Sequence, residues 1–480
     1  MSQLPDITIA EAAEAIKGRA LSPVELIKAC LERIDRAEKS LNAFISVLGE
    51  QAMREAALAE AEMAGGRWRG PLHGIPIGVK DIIDVAGTPA TAASRTTSQR
   101  APAADATVIA RLRAAGAIII GKLNMHELAF GATGTSSCYG PVRNPWNPEH
   151  ISGGSSSGSA AALAAGECLG ALGTDTGGSI RIPAALCGVA GLKPTYGRVS
   201  RTGILPLAWS LDHCGPLANT AFDAALLLNA IAGHDPTDPA SSPAKPQDYT
   251  SGIQSPIRGL RIGIPKDFFY QGVEGEVIGA VEEAIKAFTG QGAEPVEVTI
   301  PSASYAPAAA TTIIMSEATA YHLPTLRERG GDLQPDVRLR LQAGLLLTAA
   351  HYLQAQRVRS LLTREMLDAL GRVDVMITPA TPMAAPKLAD SDSTIDVTRS
   401  LTRFTGAFNL TGLPAVSIPC GFTGDGLPLG MQIIGRPHDE ATVLRVAHAY
   451  QGETDWRLRT PTLVGKRQAA PARVRPATQT

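Results

Sequence analysis

Polar and apolar residues along this chain repeat with two different spacings, and the changes between them mark the elements. Residues 8–48 read as helices, each opened by a capping signal: Thr8 with Glu11, then Ser22 with Glu25, with Pro23 at the first helical position. PLHGIPIGVKDIIDV (71–85) changes register. Ile75, Ile77 and Val79 alternate like a strand, and Lys80-Asp81 sit at its end. ATVIARLRAAGAIIIGKLNM (106–125) predicts a helix, a stop at Gly116 and a buried strand over Ile118–Ile120. Residues 236–257 are rich in Pro and Ser and read as a surface excursion. A strand at 260–265, a helix around Val277–Phe288 and a mostly helical stretch at 308–370 follow. Apolar strands at 373–382, 414–421 and 431–435 precede a last helix near Glu440–Tyr450. This punctuation predicts an α/β protein with a parallel or mixed sheet wrapped by helices. The pattern is expected to form one domain over 1–465, with a frayed tail at 466–480 that has no periodicity.

Composition narrows the class. With 44% apolar and 19% charged residues in 480, the chain has material for a large core. A net charge of −1 argues against a nucleic-acid binder, which needs clustered cations. The N-terminus lacks a basic segment followed by a long apolar run, and no apolar stretch is long enough to span a membrane. Six cysteines without metal or disulfide spacing read as reduced thiols. The expectation is a cytoplasmic protein with no membrane partner.

ISGGSSSGSAAALAAG (151–166) carries the chemistry, and three readings of it fail. A flexible linker would separate folded units, whereas patterned apolar sequence flanks this stretch closely. A phosphate loop needs a lysine, and none occurs between Lys122 and Lys193. GSSSG matches the G-x-S-x-G elbow with Ser156 at its centre, but that motif needs a strand running into it, and NPWNPEHIS is no strand. A second glycine turn follows in LGTDTGGSIRIPAALCGVAGLKPT (172–195). Thr176-Gly177-Gly178-Ser179 would let successive N–H groups point into one anion-binding nest. The two turns are expected to be joined by one buried alanine-rich helix. The residues thus give a hydroxyl nucleophile with donors and no obvious base. His73 and His126 lie nearest the motifs, yet neither has a carboxylate orienter in sequence. The other candidate is Lys80, which acts as a base only if desolvation keeps it neutral.

GVKDIIDVAGTPAT, GGSSSGSAAALAAG and GTDTGGSIRIPAALCGVAGLKPTYGRVS together resemble the amidase signature family, and the resemblance runs through most of the chain to MQIIGRP. It implies the amidase signature fold, a large central mixed, twisted β-sheet covered by helices on both faces. It further implies a Ser–cis-Ser–Lys triad. Ser179 would be the acylated nucleophile, Ser155 the cis-serine relay and Lys80 the neutral base. The N–H groups of Thr176, Gly177, Gly178 and Ser179 would form the oxyanion hole, with Asp175 and Arg181 holding the turn. Ser157 stands where many members have glycine, a departure expected to be tolerated.

The resemblance implies hydrolysis of a small-molecule amide with no cofactor and no metal; His126-Glu127 lacks the second histidine of a zinc helix. The family spans stand-alone amidases and the glutamine-hydrolysing component of the tRNA amidotransferase, and NMHELAFGATGTSSCYGPVRNPWN (124–147) is nearer the former. By position Ala129, Phe130 and Gly131 should line the acyl pocket, with Met315 and the 378–382 loop bordering it. These small or apolar side chains favour an uncharged acyl group. A monomer or homodimer is expected.

Overall fold

The computed structural model describes residues 7–98, 100–391, 394–461 and 463. The tail expected at 466–480 lies outside the described residues. One 11-stranded sheet organises the chain. Its strands are β1 (Phe44–Val47), β2 (Pro76–Lys80), β3 (Ile118–Leu123), β4 (Gly170–Asp175), β5 (Ala190–Lys193), β6 (His213–Ala218), β7 (Arg261–Ile264), β8 (Glu294–Glu297), β9 (Val375–Pro379), β10 (Ala415–Phe422) and β11 (Pro428–Ile434). They lie in the order β1-β3-β2-β4-β6-β5-β10-β11-β9-β7-β8. Pairing is parallel within β3-β2-β4 and β9-β7-β8 and antiparallel elsewhere, so the sheet is mixed.

Every residue of β2 through β6 is buried. Successive strand residues face opposite sides, so both faces of this part of the sheet must be covered. The helices Ser157–Ala164, Arg181–Cys187 and Ala221–Ile231 pack against it. At the N-terminus the capping signals act as expected: Thr8 and Glu11 cap Ile9–Lys17 reciprocally, and Ser22 and Glu25 cap Pro23–Leu41.

Two local expectations need correction. The helical reading of the first fifty residues missed β1, an edge strand antiparallel to β3. The alanine-rich helix does not join the two serine turns alone; it ends at Ala164, and β4 carries the chain from there to Asp175. A short run buried on both faces, such as GALGTD, shows no alternation, and its pattern does not distinguish strand from helix. Residues 236–257 contain no helix or strand, yet Tyr249, Ile253 and Ile257 are buried in the main core. Among the described residues no helix is long and apolar enough to cross a membrane.

The first turn of Ser157–Ala164 sits directly on backbone. A Cβ at Gly158 would lie 2.7 Å from the Asn124 carbonyl oxygen and 2.8 Å from its nitrogen, and would also meet the Ala43 carbonyl. The Asn124 N–H donates to Ala43 O at 2.7 Å and the Gly158 N–H donates to Asn124 O at 2.8 Å, so these groups cannot give way singly. Gly158→Ala should therefore lower stability by about 1–3 kcal/mol. Urea unfolding checks this, and an unchanged midpoint would mean the helix can shift off the sheet.

Candidate active site

Lys80 ends β2 with no solvent exposure. Because β2 and β4 run parallel, their C-terminal ends emerge together, which sets Lys80 beside Thr174. Its Nζ donates to Thr174 Oγ1 at 2.7 Å and to Ser155 Oγ at 2.7 Å. Burial pulls its pKa down to about 7, against the opposing pull of the Asp175, Asp212 and Cys214 charges. At neutral pH a large fraction of the amine is unprotonated. Two other strand lysines are as buried, but they face elsewhere. Lys122 pairs with Asp81 at 3.1 Å, and Lys193 donates to the Leu413 carbonyl at 2.6 Å.

The Gly154–Ser155 peptide is cis. Around it the serine turn is bonded at both ends. The His126 N–H donates to the Ser155 carbonyl at 3.1 Å, and the Ser156 N–H donates to the Ser179 carbonyl at 3.1 Å. The second bond lays the turn bearing Ser155 against the turn bearing Ser179. Ser156, at the centre of the false elbow, commits its hydroxyl to β4: it donates to the Thr174 carbonyl at 3.1 Å and accepts from the Thr174 N–H at 3.2 Å.

Asp175 organises the second turn. Its carboxylate accepts from the N–H groups of Gly178 (2.8 Å) and Ile180 (3.1 Å), from Arg181 Nε and Nη2 (both 3.0 Å) and from Asn409 Nδ2 (2.8 Å). Burial alone would raise this carboxyl, but the charge and hydrogen bonds of Arg181, with Lys193 and Asn409, hold it well below the usual carboxylate range. Arg181, itself buried, extends the network to Gln432 Oε1 at 2.9 Å. Gly178 has φ +132°, and a Cβ there would strike the Thr405 hydroxyl, which donates to the Gly177 carbonyl at 2.6 Å. Expected as an oxyanion donor, the Gly178 N–H is already committed to Asp175. Gly177 and Ser179 keep N–H groups without a protein acceptor among the described residues.

Ser179 opens onto a cavity of about 880 Å³ whose wall includes Ala129, Phe130 and Gly131. Met315 also lines it, while the 378–382 loop does not. That loop lies one step back: Gln432 Nε2 donates to Thr378 Oγ1 at 3.0 Å, behind Arg181. The wall beside the turn is apolar; a Cβ at Gly177 would stand 3.5 Å from Ile314 Cδ1 and 4.0 Å from Thr402 Cγ2.

Sequence reading missed Arg340. It donates to the Phe130 carbonyl, to Thr394 O at 3.1 Å and to Thr398 Oγ1 at 3.2 Å, and pairs with Asp336 at 3.5 Å. It thus straps the 129–131 segment to the helices Pro335–Gly344 and Thr394–Leu401. A signal was present, since Val337, Arg340, Leu341 and Gly344 form one buried helical stripe.

The two histidines do have carboxylate partners, one from distant sequence and one from the preceding helix. His126 Nε2 lies 3.1 Å from Asp336, and His73 Nε2 lies 3.1 Å from Glu62. The His126 ring also fills the space over Gly131, where a Cβ would collide with it.

Fold and site together define a hydrolase acting on amide C–N bonds. The chain belongs to the amidase signature family, and the sequence profile of that family, described as Amidase, matches residues 25–444. It is 44% identical to the A component of the glutamyl-tRNA(Gln) amidotransferase of Chloroflexus aggregans, over 96% of this chain and 99% of that one. It is 43% identical to an amidase of Pseudomonas putida, over 97% of this chain and 100% of that one. Among solved structures it resembles a chain from work on a vestigial protein complex and the evolutionary origins of an s-triazine catabolic enzyme. There the TM-score is 0.88 and the identity 36%, over 93% of this chain and 98% of that one.

Asp175→Asn keeps size but leaves the Arg181 guanidinium buried without its counter-charge. Breaking such a pair typically costs about 3–5 kcal/mol. The variant should unfold at markedly lower denaturant than wild type; a midpoint unchanged from wild type would show that Asn409 and Gln432 suffice to hold the arginine.

Proposed function

We propose that the protein is a stand-alone amidase that hydrolyses uncharged aryl or alkyl carboxamides through an acyl-enzyme on Ser179. The observation that carries this reading is the buried Lys80 amine, close to neutral and 2.7 Å from Ser155 Oγ. In its unprotonated form Nζ has a lone pair, so the bond reverses and Ser155 donates to it. Ser155 in turn takes the proton of Ser179 as that hydroxyl attacks the carbonyl. The N–H groups of Gly177 and Ser179, with that of Thr176, stabilise the developing oxyanion, while Gly178 serves by shaping the turn. Each such donor is typically worth about 10²–10³ in rate. The proton then passes to the departing nitrogen, and water releases the acid by the reverse route.

Ile314 and Thr402 flank the turn and favour an uncharged acyl group next to Ser179, and Arg340 is engaged in strapping the cavity wall, whereas Asp396, Arg399 and Arg403 also line that cavity. Reach towards esters or carbamates would use the same machinery. The second reading, the ammonia-supplying component of a tRNA amidotransferase, is favoured by the 44% identity to such a protein. On the first reading the single chain suffices, as monomer or homodimer.

Ser179→Ala should lower anilide turnover by about 10⁶. Purified single chain given an uncharged anilide and, separately, L-glutamine should release aniline and ignore glutamine; glutamine hydrolysis alone, or silence on both, would transfer support to the transamidation reading. kcat/KM should rise with pH through about 7, because the base form of Lys80 is the unprotonated one. A profile flat down to pH ~5 would falsify Lys80 as the base.

A further inference from the structure

The antiparallel pairing of β4 with β6 ends with Asp175 opposite His213, and one step beyond it Thr176 meets Asp212. The Asp212 carboxylate accepts from Thr176 Oγ1 at 2.6 Å and from the Leu207 and Ala208 N–H groups at 3.0 and 3.1 Å. It thereby ties the first residue of the turn at 176–179 to the 207–212 segment. That segment is anchored in its own right: the Ser210 hydroxyl and N–H donate to Glu317, on the helix Ala306–Arg329, at 2.6 and 2.9 Å. Asp212 bonds the Thr176 hydroxyl and not its N–H, so it does not compete for an oxyanion donor.

The charge of Asp212 matters because of where the proton goes. When Ser179 attacks, its proton moves to Ser155, and the proton of Ser155 moves to the lone pair of Lys80 Nζ. The amine becomes an ammonium in a place with no solvent exposure, where an isolated charge is costly. The titratable groups facing Lys80 are Asp175, Asp212, Cys214 and His126. Burial pushes the Cys214 thiol up to about 12 and holds the His126 ring below its ordinary value, so both are neutral at pH 7. Asp175 is already compensated by Arg181. Asp212 is not. Among the described residues no cation lies within ion-pair reach of it; Arg201 faces it, with the neutral phenol of Tyr196, but is paired with Asp238 at 3.1 Å. Partial burial pushes the Asp212 carboxyl up to about 6, against its Thr176, Ala208 and Leu207 hydrogen bonds, so it is an anion at pH 7.

We propose that Asp212 is a positioning residue of the reaction, acting through two neighbours: it holds Thr176 at the head of the oxyanion turn, and it is the counter-charge of Lys80 while that amine carries the proton lost by Ser179. The inference rests on the amidase reading above, with Lys80 as its base. When the C–N bond breaks, the proton passes back through Ser155 to the departing nitrogen. Lys80 is then neutral again, and Asp212 has changed neither bond nor charge. The same rise and fall of charge on Lys80 recurs when water attacks the acyl-enzyme and its proton returns to the serine oxygen.

The test is the pH profile of anilide hydrolysis by wild type, Asp212→Asn and Ser210→Ala. A neutral residue at 212 makes the ammonium harder to form, so Lys80 should lose its proton at lower pH and serve as a weaker base. In Asp212→Asn the acid limb of kcat/KM, near pH 7 in wild type, should therefore move down by about half a pH unit or more. kcat on the plateau should fall by about tenfold or more, with KM within about threefold of wild type. Ser210→Ala loosens the same segment without removing a charge from Lys80, and its limb should stay where wild type has it. Should Asp212→Asn fail to fold, Asp212→Ser is read in the same way. A folded neutral variant whose limb stays at the wild-type pH, whatever its plateau, overturns the proposal and leaves the amidase reading standing. So does a Ser210→Ala limb displaced as far as that of Asp212→Asn, because loosening of the segment would then be the cause. A wild type inactive on anilides, or active with no acid limb, overturns the proposal together with the reading beneath it.

Discussion

The buried Asp175–Arg181 pair is the interaction on which the other features of the site depend. A charge taken out of water is tolerated only when its hydrogen-bonding capacity is met. Meeting it here ties the end of β4, the turn at 176–179, Asn409, Gln432 on β11 and, through Gln432, Thr378 on β9 into one network. The turn that carries Ser179 is consequently fixed by a carboxylate beneath it. Its free N–H groups are what remains after Asp175 has taken those of Gly178 and Ile180.

Lys80 illustrates a complementary constraint. Desolvation is what makes a lysine a base, but desolvation alone does not choose which lysine. Lys80, Lys122 and Lys193 are all buried on strands. Lys122 has a carboxylate partner that favours its charged form, and Lys193 is turned towards main-chain carbonyls. Only Lys80 has a serine hydroxyl within reach among these three. The distinguishing feature is the neighbour, supplied by the parallel pairing of β2 with β4.

This also explains how much was legible in the sequence. The capping signals, the alternation in 75–79 and the glycine stop at Gly116 are local, and they predicted real elements. The proposed triad residues were named through three spaced motifs resembling a family, whereas the residues alone left the base undecided between histidine and lysine. What could not be read depends on distant chain. GALGTD is a strand because it lies between β2 and β6. His126 and His73 looked unpartnered because Asp336 and Glu62 are brought to them only by folding. Arg340 was passed over although its helical stripe marked it as buried, because a lone arginine gives no hint of three cavity walls to tie together.

The two glycines of the turn that carries Ser179 differ in a way that bears on how such a scaffold diversifies. Gly178 is fixed by its φ of +132° and by the Thr405 hydroxyl pressed against it. At Gly177 a Cβ would meet only ordinary van der Waals neighbours, Ile314 and Thr402, and the backbone there needs no left-handed conformation. A side chain at 177 would project into the larger cavity, one residue from Gly178 and two from Ser179, without disturbing the carboxylate network below. Position 177 is thus a point of evolvability, where the substrate range of this protein can drift while the machinery beneath stays unchanged.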